Sequence, residues 1–234
     1  MSVLTFVTGA SSNHYKSLIQ FINSYNNYSK NNRLVIYNLG FSTIEWDNLQ
    51  ENFPKFTYEV FDYSKYPDHV NLKKYYGNNC SYAWKPIIIY NTCQKYGGKV
   101  IWMDSGNIIH NTTSIFDTLL DKSYIYSPVS AHDIKKWTHP STMRIMNYNY
   151  ALEYQNRNGA CFAFNYNVDW VKEFVKQFYE FSLLKECITP VNSDRTNHRQ
   201  DQAVFTLLYY MYYHKYKFNI VNIYINFTIH NDVD

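Results

Sequence analysis

Strand-like and helix-like segments alternate along this chain from its first residues, and that alternation sets the fold class. Residues 3–8 are β-rich and run into Thr8-Gly9-Ala10-Ser11-Ser12, a loop and cap composition. Residues 14–25 carry Leu18, Ile19, Ile22 and Tyr25 on the i, i+3, i+4 stripe of an amphipathic helix. A second strand follows over 33–38, closed by Leu39-Gly40, then a helix over 43–52 and a third strand over 57–62. Trp84-Lys85-Pro86 opens a helix to about Tyr96, since proline is tolerated in a first turn where its missing N–H has no partner to lose. Gly97-Gly98 stops it, and the apolar strand 99–103 delivers Asp104-Ser105-Gly106-Asn107. Further on, the pattern predicts a strand over 124–127 and a polar excursion over 135–158 with a short helix near 141–146. A strand over 159–165, helices over 168–186 and 199–214, and a terminal β segment over 220–229 complete the reading. This pattern predicts an α/β fold, an open and mostly parallel sheet with helices on both faces. Ligands of such sheets sit beyond the carboxyl ends of the strands. Three loops fall on that edge: 8–12, 37–40 and 104–107.

With 234 residues, 46% of them hydrophobic, the chain can bury the core of one domain. A net charge of +3, without any run of Lys and Arg, excludes a phosphate-backbone stripe and hence a nucleic-acid partner. Cys80, Cys93, Cys161 and Cys187 have no C-x-x-C spacing and read as reduced core thiols. The N-terminal residues lack a basic region and read as a buried strand rather than a signal peptide. No apolar stretch approaches the ~18 residues that span a bilayer. The expectation is a cytoplasmic protein. Aromatics make up 19% of the chain, with 25 Tyr, and Asn is abundant while Gly is scarce. Such residues have AT-rich codons, as in genomes of protists or giant DNA viruses; a viral chain would work in the host cytoplasm.

Two motifs bear on chemistry. Thr8-Gly9-Ala10-Ser11-Ser12 invites a short-chain dehydrogenase reading, but Asn13-His14-Tyr15 stands where the nucleotide fingerprint needs further glycines. That family's Tyr-x-x-x-Lys pair occurs as Tyr213…Lys217, at the end of a late helix. The second motif is Ile101-Trp102-Met103-Asp104-Ser105-Gly106-Asn107, an apolar strand that ends in a carboxylate at the sheet edge. Such a group can hold a divalent cation against a diphosphate. It can equally cap a turn in which Gly106 supplies a positive φ.

Ser81-Tyr82-Ala83-Trp84-Lys85-Pro86, followed by the strand ending at Asp104, resembles glycosyltransferases of the A-type (GT-A) nucleotide-sugar fold. Arg157-Asn158-Gly159-Ala160-Cys161-Phe162 and His198-Arg199-Gln200-Asp201-Gln202 continue the resemblance in the same order. It implies a single GT-A-like domain, with a nucleotide-binding part over about 1–107 and an acceptor and catalytic part over 108–234. It further implies transfer of a sugar from a nucleoside diphosphate donor, more readily UDP than GDP, to a hydroxyl acceptor such as a glycan of a surface or virion. Thr8, Gly9 and Ala10 would line the base and ribose, and Lys85, Asp104, Ser105 and Gly106 the diphosphate. Gly159, Ala160, Arg199 and Gln202 would contact the donor from the other side. Asp201 would carry the chemistry, as a general base or as a stabiliser of oxocarbenium-like charge. The bland alternative makes it an exposed acid in a helix's first turn. The family's motif usually has a second Asp where this chain has Gly106, so a Mn2+ or Mg2+ ion would rest on Asp104 and His230. Lys85 or Arg199 could otherwise neutralise the phosphates. Two other readings stay open: a catalytically silent nucleotide-sugar or glycan-binding module, and a sugar-phosphate nucleotidyltransferase, which would want a basic glycine-rich loop after the first strand. Oligomeric state is not legible.

Overall fold

A computed structural model describes residues 3–29, 31–72, 80–222 and 224–234. The first half runs β1 (Leu4–Ser11), α1 (Tyr15–Tyr28), β2 (Arg33–Gly40), α2 (Thr43–Asn52), β3 (Thr57–Val60), α3 (Trp84–Tyr96) and β4 (Lys99–Met103). Short elements follow: β5 (Ile108–Ile109), α4 (Ile115–Ser123), β6 (Ile125–Tyr126), β7 (Val129–Asp133), α5 (Ile134–Trp137), α6 (Pro140–Ile145) and β8 (Gln155–Arg157). The chain then forms β9 (Cys161–Asn165), α7 (Asp169–Ser182), α8 (Lys185–Ile188), α9 (Gln200–Tyr216) and β10 (Phe227–Thr228).

Among the described residues, the central sheet has six strands in the order β3-β2-β1-β4-β9-β6. β3, β2, β1 and β4 pair in parallel, while β9 runs antiparallel to both β4 and β6. The expected α/β class and mostly parallel sheet are borne out. The unbroken apolar character of β4 has a direct cause, because successive side chains enter two different cores. Val100 and Trp102 pack with Ile87 and Ile88 of α3, Phe174 of α7 and Phe205 of α9. Ile101 and Met103 pack on the other face with Leu18 and Phe21 of α1 and Phe116 of α4. All four cysteines are buried, free thiols, as expected. No helix among the described residues is long and apolar enough to cross a membrane.

The structure corrects several boundaries. β1 extends through Ser11, so the expected loop at 8–12 begins later and Thr8 lies inside a strand. The helix expected over 168–186 is two helices. Its break has a cause: the Ser182 carbonyl accepts a hydrogen bond from His69 Nε2 at 2.9 Å, and Ser182 Oγ donates to the Tyr179 carbonyl at 2.6 Å. Both bonds draw the last turn away from a continued ladder. The terminal β segment shrinks to the two residues of β10, which pair with β5 outside the central sheet. Side chains anchor the rest of that stretch, since Arg157 donates to the Val221 carbonyl at 3.2 Å and to Asn222 Oδ1 at 3.0 Å. Of the expected β segment, residue 223 lies outside the described residues. The polar excursion holds two short helices and β8 rather than one helix.

Candidate active site

A cavity of about 420 Å³ opens at the carboxyl ends of β1 and β4, where sheet topology places it. Every residue that the glycosyltransferase resemblance assigns to the donor, the cation or the chemistry lines it except Thr8. Thr8 is fully buried, on the sheet face that also carries Leu4, Phe6 and Ala10, because the strand alternation continues past it.

Lys85 is the centre of the cavity floor. As the second residue of α3 it is only 4% exposed. Its Nζ donates to Asp104 Oδ1 at 2.9 Å and to the Gly159 carbonyl at 2.9 Å, and lies 3.2 Å from Asp201 Oδ2. Burial alone would lower the ammonium's pKa, but the charges of Asp104 and Asp201 outweigh it and hold the pKa above its usual value. The lysine therefore stays protonated, and its bonding capacity goes to protein groups. It holds two carboxylates in place, while Arg195 and Arg199 also line the cavity. Among the described residues no carboxylate pairs with Arg199, whose guanidinium lies 4.0 Å over the Trp137 ring.

Asp104 leaves the sheet at the end of β4 and is positioned twice over. The Trp102 indole N–H donates to its Oδ1 at 2.7 Å, alongside Lys85. The turn that follows is closed by the Asn107 N–H on the Asp104 carbonyl at 3.0 Å. It is tied to the neighbouring loop because the Asp104 N–H and Asn107 Nδ2 both donate to the Ala160 carbonyl, at 3.0 and 2.8 Å. The side chain remains 31% exposed to the cavity.

Asp201 departs from expectation in one respect. It sits in the first turn of α9, but it is 5% exposed rather than a solvated surface acid. Burial pushes its carboxyl up to about 6, Lys85 opposes that shift, and Asp104 adds to it. Oδ2 faces the Lys85 ammonium at 3.2 Å. The preceding loop is pinned by His198, a buried imidazole whose pKa burial lowers to about 4. The neutral ring accepts from the His139 N–H at 3.2 Å and donates to the Ile188 carbonyl at 3.0 Å. Gln200 then takes a φ of 38°, turning the chain into α9.

The third wall comes from the C-terminal stretch. His230 and Asp232 both line the cavity, with His14 from the segment after β1. His14 Nδ1 lies 3.4 Å from Asp232 Oδ1. Asp232, His14, Asn13, Tyr82 and Arg195 are cavity residues that sequence reasoning missed. For Asp232 the available signal was its place two residues after His230, a spacing that carries no motif. Asp104 and Asp232 offer carboxylate oxygens, the donor type that suits Mg2+ or Mn2+, and His230 an imidazole. Among the described residues no three His, Cys, Asp or Glu converge tightly enough to cage an ion unaided. Such cations typically take one or two carboxylates and complete their shell with substrate phosphates and water. Any such ion here would take only a minority of its ligands from these side chains.

Comparison with known proteins follows from this geometry. Residues 1–90 match the family described as "Protein of unknown function (DUF1647)". No curated protein sequence matches significantly. Among solved structures, the bifunctional glycosyltransferase WbbM superposes with a TM-score of 0.55 at 16% identity, over 90% of this chain and 38% of WbbM. The galactosyltransferase LgtC, in complex with donor and acceptor sugar analogues, gives 0.57 at 13% identity, over 88% of this chain and 70% of LgtC. Mouse xyloside xylosyltransferase 1 gives 0.53 at 11% identity, over 92% of this chain and 82% of that protein. The chain thus spans well under half the length of the first of these and most of the other two. The fold is that of the GT-A glycosyltransferases.

Proposed function

We propose that this protein transfers a glycosyl group from a nucleoside diphosphate sugar, most simply a UDP-sugar, to a hydroxyl of a glycan or other acceptor. The observation that carries the reading is the Lys85 ammonium holding Asp104 and Asp201 in one cavity beyond the parallel strands. Gly9 and Ala10, at the end of β1, would face the base and ribose, and the 104–106 turn with Arg199 would face the diphosphate. A divalent cation on Asp104 and His230, Mn2+ or Mg2+, would supply charge neutralisation at the leaving group. During transfer the bond between the anomeric carbon and the phosphate oxygen breaks, and its electron pair leaves with the nucleoside diphosphate. The acceptor oxygen bonds to that carbon, and its proton passes to Asp201. Gly159 packs beside that carboxylate, where a Cβ would come within 3.4 Å of Asp201 Oδ2 and 3.5 Å of Gln202 Cβ; Ala160 would contact the donor from the same wall.

The test is a panel of UDP-, GDP- and TDP-sugars with Mn2+ or Mg2+, followed by thermal shift and donor hydrolysis together. Stabilisation and slow hydrolysis by a UDP-sugar are expected. Stabilisation without turnover on any acceptor or water would make the protein a binding module, and no stabilisation by any nucleotide would refute the reading.

Two results follow for the carboxylates. Asp104→Asn keeps an acceptor for the Trp102 indole but loses a charge at the diphosphate. Transfer is expected to fall at least ~100-fold with the fold intact by circular dichroism. Full activity of this variant would remove Asp104 from the site, and full activity of the wild type in EDTA would give the phosphate charge to Arg199. Asp201 predicts a pH profile. A general base works only when unprotonated, and burial holds this one near 6. kcat/KM should therefore be flat above about pH 7 and fall about tenfold per unit below about pH 6. A profile that stays flat to pH 5 would exclude Asp201 as the base.

A further inference from the structure

The wall that carries Asp201 also carries a cluster of positive charge that the transfer chemistry leaves largely unassigned. Arg195 and Arg199, in the segment leading into α9, both line the cavity. Burial and then the charge of Arg195 lower the Arg199 pKa, so the two guanidinium groups lie close enough to repel. A third cation comes from α5. The Arg199 N–H donates to the Trp137 carbonyl at 3.1 Å, and its guanidinium covers the Trp137 ring at 4.0 Å. Lys136 Nζ lies 5.2 Å from the centroid of that same ring. No carboxylate pairs with any of the three among the described residues. The two acids nearest in sequence are taken up by backbone: Asp133 Oδ1 accepts from the Lys136 N–H at 2.9 Å, and Asp194 Oδ1 from the Thr196 N–H at 2.7 Å. Arg195 lines the cavity yet is exposed, which puts it at the mouth, and Lys136 is exposed outside it.

We propose that Arg195 and Lys136, grouped around the Arg199–Trp137 stack, select an acidic acceptor glycan, one whose sugars carry carboxylates. The assignment deepens the transferase reading and rests on it. If Asp201 takes the acceptor's proton, the groups outward of Asp201 on its own wall face the acceptor, while the diphosphate lies toward the 104–106 turn. Arg199 then stands between the two substrates, and Arg195 and Lys136 lie beyond it. A guanidinium presents its N–H groups in a planar fork that matches a carboxylate. Charges spread from the cavity to outside it suit a chain with one charge on each sugar better than a single compact anion. Such charges discriminate between partners more than they add affinity, so a neutral glycan would keep the ring contacts and lose the ion pairs.

The test titrates tetragalacturonate and its neutral counterpart galactotetraose into the full chain by calorimetry, with and without saturating UDP, at low and high salt. Tetragalacturonate should bind at least ~10-fold more tightly, with the advantage shrinking as salt rises. Arg195→Gln with Lys136→Gln should remove most of that advantage; both side chains are exposed, and a melt matching wild type checks the fold. Lys55→Gln with Lys215→Gln, which removes the same charge elsewhere on the surface, should keep it. Equal binding of the two tetrasaccharides, or a preference that the first double variant retains, would overturn the proposal and leave the donor reading standing. A preference lost equally in the second double variant would reduce it to net charge. A preference for UDP-galacturonate over UDP-galactose that depends on Arg195 and Lys136 would place the carboxylate on the transferred sugar and overturn the acceptor assignment. Failure to bind UDP would instead overturn the donor reading, while the titrations without UDP still decide whether the cluster reads acidic glycans.

Discussion

Lys85→Met is expected to destabilise the protein by about 3–5 kcal/mol, the range for removing one partner of a buried ion pair. For a chain of this size that is a fall in Tm on the order of 10 °C. The loss comes from what remains: Asp104 and Asp201 without the ammonium between them, and a Gly159 carbonyl without its donor. The pH dependence separates this cause from lost packing. Asp201 already titrates near 6 in the presence of Lys85, because burial disfavours its charge. Without the ammonium the Asp201 carboxyl loses the charge that opposes its burial, and its folded pKa rises further above the unfolded one. A raised carboxyl pKa destabilises the folded state at pH above the unfolded value, and the penalty disappears as protonation neutralises the group. The deficit against wild type should therefore be large at pH 8 and shrink toward pH 5. Thermal melts of both proteins at the two pH values measure it. A constant deficit would assign the effect to packing against the Trp84, Trp102 and Phe162 rings, which lie within 6 Å of the ammonium. No deficit would mean that the three charges are not coupled.

The parts of the site that could be read from sequence are those built by local rules. A proline in the first turn and two glycines at the end bracketed α3, and its bounds came out as expected. Gly97 adopts a φ of 60°, so the helix stop was a conformational requirement. β4 was legible because both of its faces are covered, which leaves an apolar run ending at Asp104. What was not legible depends on long-range contacts. Nothing near residue 201 signals that Lys85 would bury its carboxylate, so an acid expected at the surface lies in the core of the site. The break after Ser182 depends on a histidine more than a hundred residues away, at position 69. Thr8 was misplaced because a glycine and small residues resemble a loop, whereas here they continue a strand next to Tyr37 and Leu39, which a side chain at Gly9 would crowd. Asp232 carries no motif, and only the folded chain brings it against Gly106.

Asp201→Asn is expected to lower kcat at least ~100-fold while donor affinity changes little, since a general base acts through an interaction made mostly in the transition state. Asparagine keeps the shape and the first-turn geometry of α9 but cannot take the acceptor's proton. Its burial makes the stability outcome informative too. The variant removes a charge whose desolvation raises its pKa, and it leaves Lys85 with Asp104 and the Gly159 carbonyl. The loss in Tm should accordingly be smaller than for Lys85→Met, and the acid limb near pH 6 should vanish from whatever turnover survives. Single-turnover rates, donor titrations and melts on one preparation distinguish the alternatives. Retained turnover would reduce Asp201 to a structural counter-ion for Lys85. Lost donor affinity at unchanged kcat would place the carboxylate on the nucleotide or sugar instead of the acceptor.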